Sequence, residues 1–146
     1  MTDLQLLAKK LAFIETCVQD LRDMAEPARI EIDLREQRFV AHTLQIAIQA
    51  ALDVASHIVS DLRLGEPATN RDLFALLVKA DCLPRELAQD IGNMAGFRNI
   101  LVHGYQDVDP AIMTDVVVNH LDDLLAFVHV IRQFLPGSSE TVRPLS

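Results

Sequence analysis

One short segment, Arg98 to Tyr105, contains several side chains that could do chemistry. His103 carries an imidazole, which can accept or donate a proton near neutral pH. Arg98 carries a guanidinium, whose rigid set of N–H donors suits a phosphate and can stabilise charge that develops on it. Asn99 adds an amide, and Tyr105 is the only tyrosine of the chain. These residue types fit acid–base chemistry beside a bound anion.

Arg98 stands on the apolar line of a predicted helix. This line, the apolar seam, consists of Leu87, Ile91, Met94, Arg98 and Leu101, and its spacing predicts another leucine at position 98. A guanidinium on the seam needs a partner or a cavity, because burying a charge without a partner is costly. Positions that break a local pattern are where functional sites are expected.

A second line on the same helix, the glycine stripe, consists of Gly92, Gly96, Asn99 and His103. Each glycine inside a helix costs about 1 kcal/mol relative to alanine, so the stripe predicts the close approach of a backbone, a partner helix or a ligand. Gly104 is typical of the position just beyond a helix end, which places His103 at the C-terminus of the helix.

Arg98 and His103 do not share a face of an ideal helix, because five residues turn the helix by about 140°. Three arrangements would bring them together: an unwound last turn, the reach of the arginine side chain, or a two-fold dimer with two copies of the segment in one cleft. The alternative without function is that Arg98 pairs with a carboxylate and His103 caps the helix end. The combination of Arg98, His103, the glycines and the tyrosine favours a functional site.

Apolar residues recur in steps of three and four along most of the chain, which predicts helices. The second helix is apolar on several sides, which predicts a central position, and Asn70 is a possible N-cap of the third. Asp109 and Pro110 are typical of the start of the last helix. The predicted helices cover residues 4–21, about 33–62, 71–79, about 84–103 and 110–135.

The fold class predicted is all-α, a single-domain bundle of about five helices over residues 1–137, followed by a mobile tail at 138–146. Half of the residues are hydrophobic and few are aromatic, so the core is aliphatic. We expect a cytoplasmic protein without a membrane partner. The sequence shows no signal peptide and no uninterrupted apolar stretch long enough for a bilayer, and Cys17 and Cys82 lack CxxC spacing.

The net charge of −8 argues against broad attraction to nucleic acid, but it leaves room for a small local site. Acidic and histidine side chains near the C-terminus do not have the spacing of a metal site, so no metal is predicted. That set consists of Asp115, His120, Asp122, Asp123 and His129.

The spacing matches the R-x4-H-x-Y signature of HEPN-domain proteins: four residues separate Arg98 from His103, and one residue separates His103 from Tyr105. The longer runs 94–105 and 45–58 resemble the HepT-like branch of that family, and the resemblance covers nearly the whole chain. It implies a small all-α homodimer that acts as a metal-independent endoribonuclease, the toxin of a HEPN/MNT (type VII) toxin–antitoxin system. The antitoxin would be a minimal nucleotidyltransferase that silences the toxin by transferring AMP to Tyr105. No cofactor is implied for this chain, because ATP would be the substrate of the partner.

Carried onto this sequence, the resemblance makes Arg98 and His103 the catalytic residues. His103 could be the general base or acid, and Arg98 could hold the phosphate. Asn99 could orient His103 or donate a hydrogen bond to RNA. Tyr105 could contact the RNA backbone, and AMP added to it would bring bulk and negative charge into the cleft.

Three residues of the second helix are secondary candidates. Arg38 and His42 could extend a basic cleft, although a solvated edge or an antitoxin contact fits them better. Asp53 could brace the site, although a polar pair with His57 fits better. The rival function is a non-catalytic helical module that binds a partner nucleotidyltransferase and presents substrate to it, which the acidic net charge favours.

Overall fold

The computed structural model describes residues 3–103 and 108–136, and within these ranges all regular structure is helical. The predicted all-α class is confirmed. The predicted last helix is one helical stretch in three parts, because a π-helical turn (Val116–His120) separates α5 from α6. The C-terminal tail and the domain limit at residue 137 lie outside the described residues. The helices are α1 (Leu4–Met24), α2 (Leu34–Asp61), α3 (Asn70–Lys79), α4 (Arg85–His103), α5 (Pro110–Asp115) and α6 (Leu121–Phe134).

Side chains placed before the helices set where several of them begin. The carboxylates of Asp3, Asp33 and Asp109 accept hydrogen bonds from backbone N–H groups of the first turns of α1, α2 and α5. The cap of α3 was predicted at Asn70, which is wrong. Thr69 is the cap, and its hydroxyl accepts a hydrogen bond from the Asp72 amide at 3.1 Å.

Helix α2 is the centre of the bundle, as its several apolar faces predicted. It packs against α1, α3, α4, α5 and α6. By length and composition alone α2 could cross a membrane, but most of its apolar window is buried inside the bundle. Its buried residues are Val40, Ala41, Thr43, Leu44, Ala47, Ile48, Ala50, Ala51, Leu52, Val54, Ala55, Ile58 and Val59.

Ion pairs between the helices show their directions. Arg132 of α6 donates two hydrogen bonds of 2.7 Å to Glu15 of α1, and Arg22 of α1 pairs with Asp122 at the start of α6. The two helices are therefore antiparallel. Lys10 pairs with Asp53, so α2 also runs against α1.

The C-terminus of α4 lies at the end of the bundle where α2 and α5 begin. Helix α4 packs against α6, and only residues 104–109 connect it to α5, so α4 runs antiparallel to the α5–α6 stretch. Since α5–α6 and α2 both run against α1, their N-termini share one end with His103. The site segment and the first turns of α2 are thus on the same side of the molecule.

Candidate active site

The apolar seam of α4 is present as predicted, and Arg98 interrupts it. The four apolar members of the seam are buried, whereas Arg98 is half-buried between them. Its Nε atom is buried without a hydrogen-bond partner. Its Nη1 atom lies nearer the surface and donates a hydrogen bond of 3.2 Å to the side-chain oxygen of Asn99. The stem of Arg98 is thus held by the core while the guanidinium end reaches the surface.

No carboxylate of the described residues lies within salt-bridge distance of Arg98, so the expected alternative of an ion pair is not found there. Asn99 is a neutral acceptor and leaves the positive charge of the guanidinium uncompensated. The Asn99 side chain is exposed and accepts its hydrogen bond from Arg98. Among the described residues it makes no hydrogen bond with His103. A half-buried arginine without a counter-charge is suited to hold an anion.

His103 is the last residue of α4 and its side chain is exposed. Helix α4 continues through His103, so an unwound last turn does not bring the imidazole toward Arg98. The reach of the arginine and a second copy of the chain remain as ways to bring the two side chains together. Gly104 and Tyr105 lie outside the described residues.

The two glycines of α4 have different surroundings. Gly92 is buried, and a Cβ atom added there would be 3.6 Å from Nη1 of Arg71, so this glycine faces α3. Gly96 is exposed, and a Cβ atom added there would meet nothing within 4 Å. Ile100 follows on the same face and is 47% exposed. Only the second half of the glycine stripe is therefore open to another chain or a ligand.

The secondary candidates divide into two groups. Arg38 and His42 are exposed on the first half of α2, at the bundle end that carries the C-terminus of α4. Asp53 lies on the second half of α2 and accepts hydrogen bonds from Lys10 at 3.2 Å and Gln49 at 2.8 Å. The expected pair of Asp53 with His57 is therefore wrong, because Asp53 faces α1 and connects the two helices.

The arrangement around His120 in the π-helical turn was not predicted. Its Nε2 lies 3.1 Å from Asp115 and its Nδ1 lies 3.3 Å from Asp123. Burial raises the pKa of the Asp123 carboxyl, whereas the hydrogen bond from Asn119 lowers the pKa of Asp115. A cavity of about 220 Å³ between α4 and the α5–α6 stretch adjoins this cluster. Contacts at i and i+5 are typical of a π turn, which apolar periodicity does not reveal.

Within residues 3–103 and 108–136, no group of three or more His, Cys, Asp or Glu side chains could hold a metal ion. The fold and site together define an all-α bundle with an unpaired arginine and an exposed histidine on one helix. Comparison with known proteins shows which class of bundle this is. The family model described as ribonuclease HepT-like matches residues 14–131.

Relatives in two bacteria are similar over most of the chain. An mRNA nuclease HepT of Shewanella oneidensis is 32% identical over 87% of this chain and 96% of that protein. A tRNA nuclease HepT of Aphanizomenon flos-aquae is 36% identical over 68% of each chain. The chain therefore belongs to the HepT-like ribonuclease family.

A solved structure extends the similarity to the fold. It is a tri-AMPylated HEPN toxin of Shewanella oneidensis in complex with an MNT antitoxin, and it is 32% identical to this chain. The two folds superpose with a TM-score of 0.81, over 91% of this chain and 99% of that chain. The HEPN-like architecture predicted from the sequence is thus confirmed.

Proposed function

We propose that this chain is the toxin of a HEPN/MNT (type VII) toxin–antitoxin system and cleaves RNA without a metal ion. The observation that carries the proposal is Arg98, which lies on an apolar seam with its guanidinium charge uncompensated by any described carboxylate. Such a group is costly unless an anion binds to it. His103 provides a proton-transfer group at the end of the same helix.

The chemistry follows from these two side chains. His103 accepts the proton of a ribose 2′-OH, and the 2′ oxygen then attacks the adjacent phosphorus. Arg98 stabilises the extra negative charge on the phosphorane. The bond from phosphorus to the 5′ oxygen breaks, and that oxygen takes up a proton from an imidazolium. The products are a 2′,3′-cyclic phosphate and a free 5′-OH.

A homodimer supplies the second proton-transfer group. One imidazole cannot stand on both sides of the same phosphorus, and His103 is turned by about 140° from Arg98 around a regular helix. A two-fold axis beside the open half of the glycine stripe brings Arg98 of one copy near His103 of the other. Gly96 and the exposed Ile100 would allow the close approach that this requires.

Tyr105 is the proposed switch. A relative is a tri-AMPylated HEPN toxin in complex with an MNT antitoxin. Tyr105 follows His103 by two residues in the sequence, and in this proposal AMP groups on its oxygen occupy the cleft that takes RNA. They would exclude RNA by their bulk and by repulsion of its phosphates. The antitoxin uses ATP and RNA is the substrate, which fits a cytoplasmic protein.

The cleavage test uses purified protein, total tRNA and mRNA, and buffer with EDTA. Wild-type protein should cleave RNA, and Arg98→Ala and His103→Ala should each lower the rate at least 100-fold, because a donor to developing charge contributes about 10² to 10³ and general acid–base catalysis about 10² to 10⁴. His129→Ala is the matched control, since His129 is an exposed histidine of α6. Equal cleavage by the His103→Ala protein would contradict the proposal. A wild-type protein that binds the nucleotidyltransferase but cuts no RNA would support the rival, a non-catalytic module.

The switch test uses the neighbouring nucleotidyltransferase and ATP. The chain should gain mass in multiples of AMP and lose its ribonuclease activity together with that gain. Tyr105→Phe should gain no mass, and the assignment is direct because the chain has no other tyrosine. Silencing of the Tyr105→Phe protein to the same degree would refute Tyr105 as the modified residue.

A further inference from the structure

A groove between α3 and α4 has basic side chains around an apolar bottom. Its volume is about 360 Å³, inside the range of about 300–1,000 Å³ that is typical of small-ligand sites. None of the described residues that line it is acidic. The lining residues are Phe74, Ala75, Val78, Ala88, Gln89 and three cations, Arg71, Lys79 and Arg85.

The three cations of this groove are not neutralised by carboxylates within the part of the chain that the structure describes. Arg132, by contrast, is paired with both oxygens of Glu15. In a chain with a net charge of −8, three such cations at one groove make a local positive region. The groove therefore suits an anion with an apolar part.

Arg71 is held in position before any ligand arrives. Its Nη2 donates a hydrogen bond of 2.8 Å to the side-chain oxygen of Asn93 in α4. Its side chain lies over Gly92, with Cγ 3.7 Å from the place where a Cβ would stand. A fixed guanidinium loses little conformational entropy on binding, which favours recognition of a phosphate.

The groove and His103 are joined by one exposed face of α4. Arg85 and His103 stand at the two ends of this helix, about 27 Å apart at 1.5 Å per residue. The part of this face next to the groove carries the neutral side chains Gln89 and Asn93, with the exposed carboxylates of Glu86 and Asp90 beside it, and it leads toward Gly96, where the second copy is proposed to pack. A flexible, negatively charged strand that passes on the side of Gln89, away from these carboxylates, leads from the groove toward the cleft between the two copies.

We propose that the α3–α4 groove binds backbone phosphates of the single-stranded RNA substrate, on one side of the scissile bond. This inference rests on the proposed ribonuclease function and extends it by a second substrate-binding site. Arg71, Lys79 and Arg85 contact phosphates, while the apolar bottom of the groove packs against a ribose or an unstacked base. RNA that ends short of the groove loses these contacts.

The test measures binding in a His103→Ala protein, so that RNA is not consumed. Fluorescence anisotropy gives the Kd for a labelled single-stranded RNA long enough to span about 27 Å along α4, and for a dinucleotide. Arg85→Glu should weaken binding of the long RNA about tenfold, the size expected for a lost charge-assisted hydrogen bond. It should lower the slope of log K against log salt by about 0.7 per lost phosphate contact. Dinucleotide binding should not change.

Arg85→Glu is a suitable variant because an acidic residue in the first turn of a helix stabilises that helix. Lys79→Gln provides a second, milder test of the same groove. The matched control is Lys9→Glu, an equal charge change on an exposed position of α1, which should leave the affinity for RNA nearly unchanged.

Two results would overturn the inference. One is an unchanged Kd and salt slope for the long RNA in both groove variants. The other is a loss of antitoxin binding in Arg85→Glu with the affinity for RNA retained, which would assign the groove to a protein partner. Either result leaves the proposed function standing if the wild-type protein cleaves RNA in EDTA, so the two failures are distinguishable.

Discussion

Arg98 has opposite effects on the fold and on the proposed chemistry. Its stem lies on the apolar seam of α4, where it leaves a buried Nε without a partner, and its Nη1 donates a hydrogen bond to the neutral side chain of Asn99. A buried donor without an acceptor costs about 1–3 kcal/mol. Such a cost at a single residue is typical of a site where binding was favoured over stability.

Arg98→Met should therefore separate the two properties. Methionine keeps an unbranched apolar stem and removes the unpartnered donor, so the free energy of unfolding should rise by about 1 kcal/mol. RNA cleavage should be lost. Urea unfolding measures the first effect, and Arg35→Met, on an exposed residue of α2, should not reproduce it. A fall in stability in the Arg98→Met protein would show that the guanidinium stabilises the fold.

At the scale of the helices, the apolar periodicity predicted most of what is observed. The limits of α2 differ from the prediction by one residue at each end, and Asp109 and Pro110 begin α5 as expected. The π-helical turn at Val116–His120 was not foreseen. A π turn adds one residue to a turn of the helix. The apolar residues on both sides of it nevertheless fit a single helical pattern, so periodicity did not reveal the turn.

Gly96→Ala tests whether the open half of the glycine stripe has a stability cost in the single chain. Within one chain alanine meets no neighbour there, so the free energy of unfolding should rise by about 0.5–1 kcal/mol at protein concentrations where the chain is monomeric. Gly92→Ala is the control. Its added Cβ would make ordinary contacts at 3.6 Å with Arg71, so a similar gain is expected. At concentrations where the proposed dimer forms, Gly96→Ala alone should lose this gain, because its Cβ stands where the second copy packs; an equal gain in both variants at all concentrations would contradict a close contact at Gly96.

The pair between Glu15 and Arg132 connects α1 to α6, and it should make stability depend on pH. The hydrogen bond from Arg132 lowers the pKa of Glu15 from its ordinary value of 4.5. Because the pKa is lowered in the folded state, the pair contributes fully to the free energy of unfolding above pH 4.5. This contribution is lost as the pH falls through the folded-state pKa. Since both side chains are partly exposed, the contribution is at most about 1 kcal/mol.

Glu15→Gln should accordingly lower the free energy of unfolding at pH 7 and leave it unchanged in strong acid. Urea unfolding from pH 7 to pH 3 measures this convergence. Glu31→Gln, on an exposed glutamate between α1 and α2, should show the same pH dependence of the free energy of unfolding as the wild-type protein. A difference between wild type and Glu15→Gln that persists undiminished in acid would mean that the pair does not cause it.

For the whole molecule, the described core is a mainly aliphatic cluster that contains an aromatic contact. Phe74 of α3 and Phe127 of α6 meet edge to face, with ring centroids 6.3 Å apart. They are nearly fully buried, at 1% and 0% exposure. This contact joins the helix beside the basic groove to the last helix of the bundle.

Phe127→Ala should lower the free energy of unfolding by about 3–5 kcal/mol, because it leaves a cavity and removes the aromatic contact. That loss is a large part of the total stability of a domain of this size, about 5–15 kcal/mol. Phe134→Ala, on a residue of α6 that is 36% exposed, should cost much less. Equal effects of the two substitutions in thermal or urea unfolding would contradict this account of the core.

The sequence alone determined the helices, the central place of α2 and the unusual position of Arg98. These features depend on residues three or four apart, and helical periodicity is a local property. Only the tertiary structure decided that Asp53 faces Lys10, that Gly92 is covered by Arg71, and that three cations meet in one groove. These contacts join helices that are distant along the chain, so they depend on packing that no single segment specifies. The same packing leaves Arg98, which local spacing identified, without a carboxylate partner among the described residues.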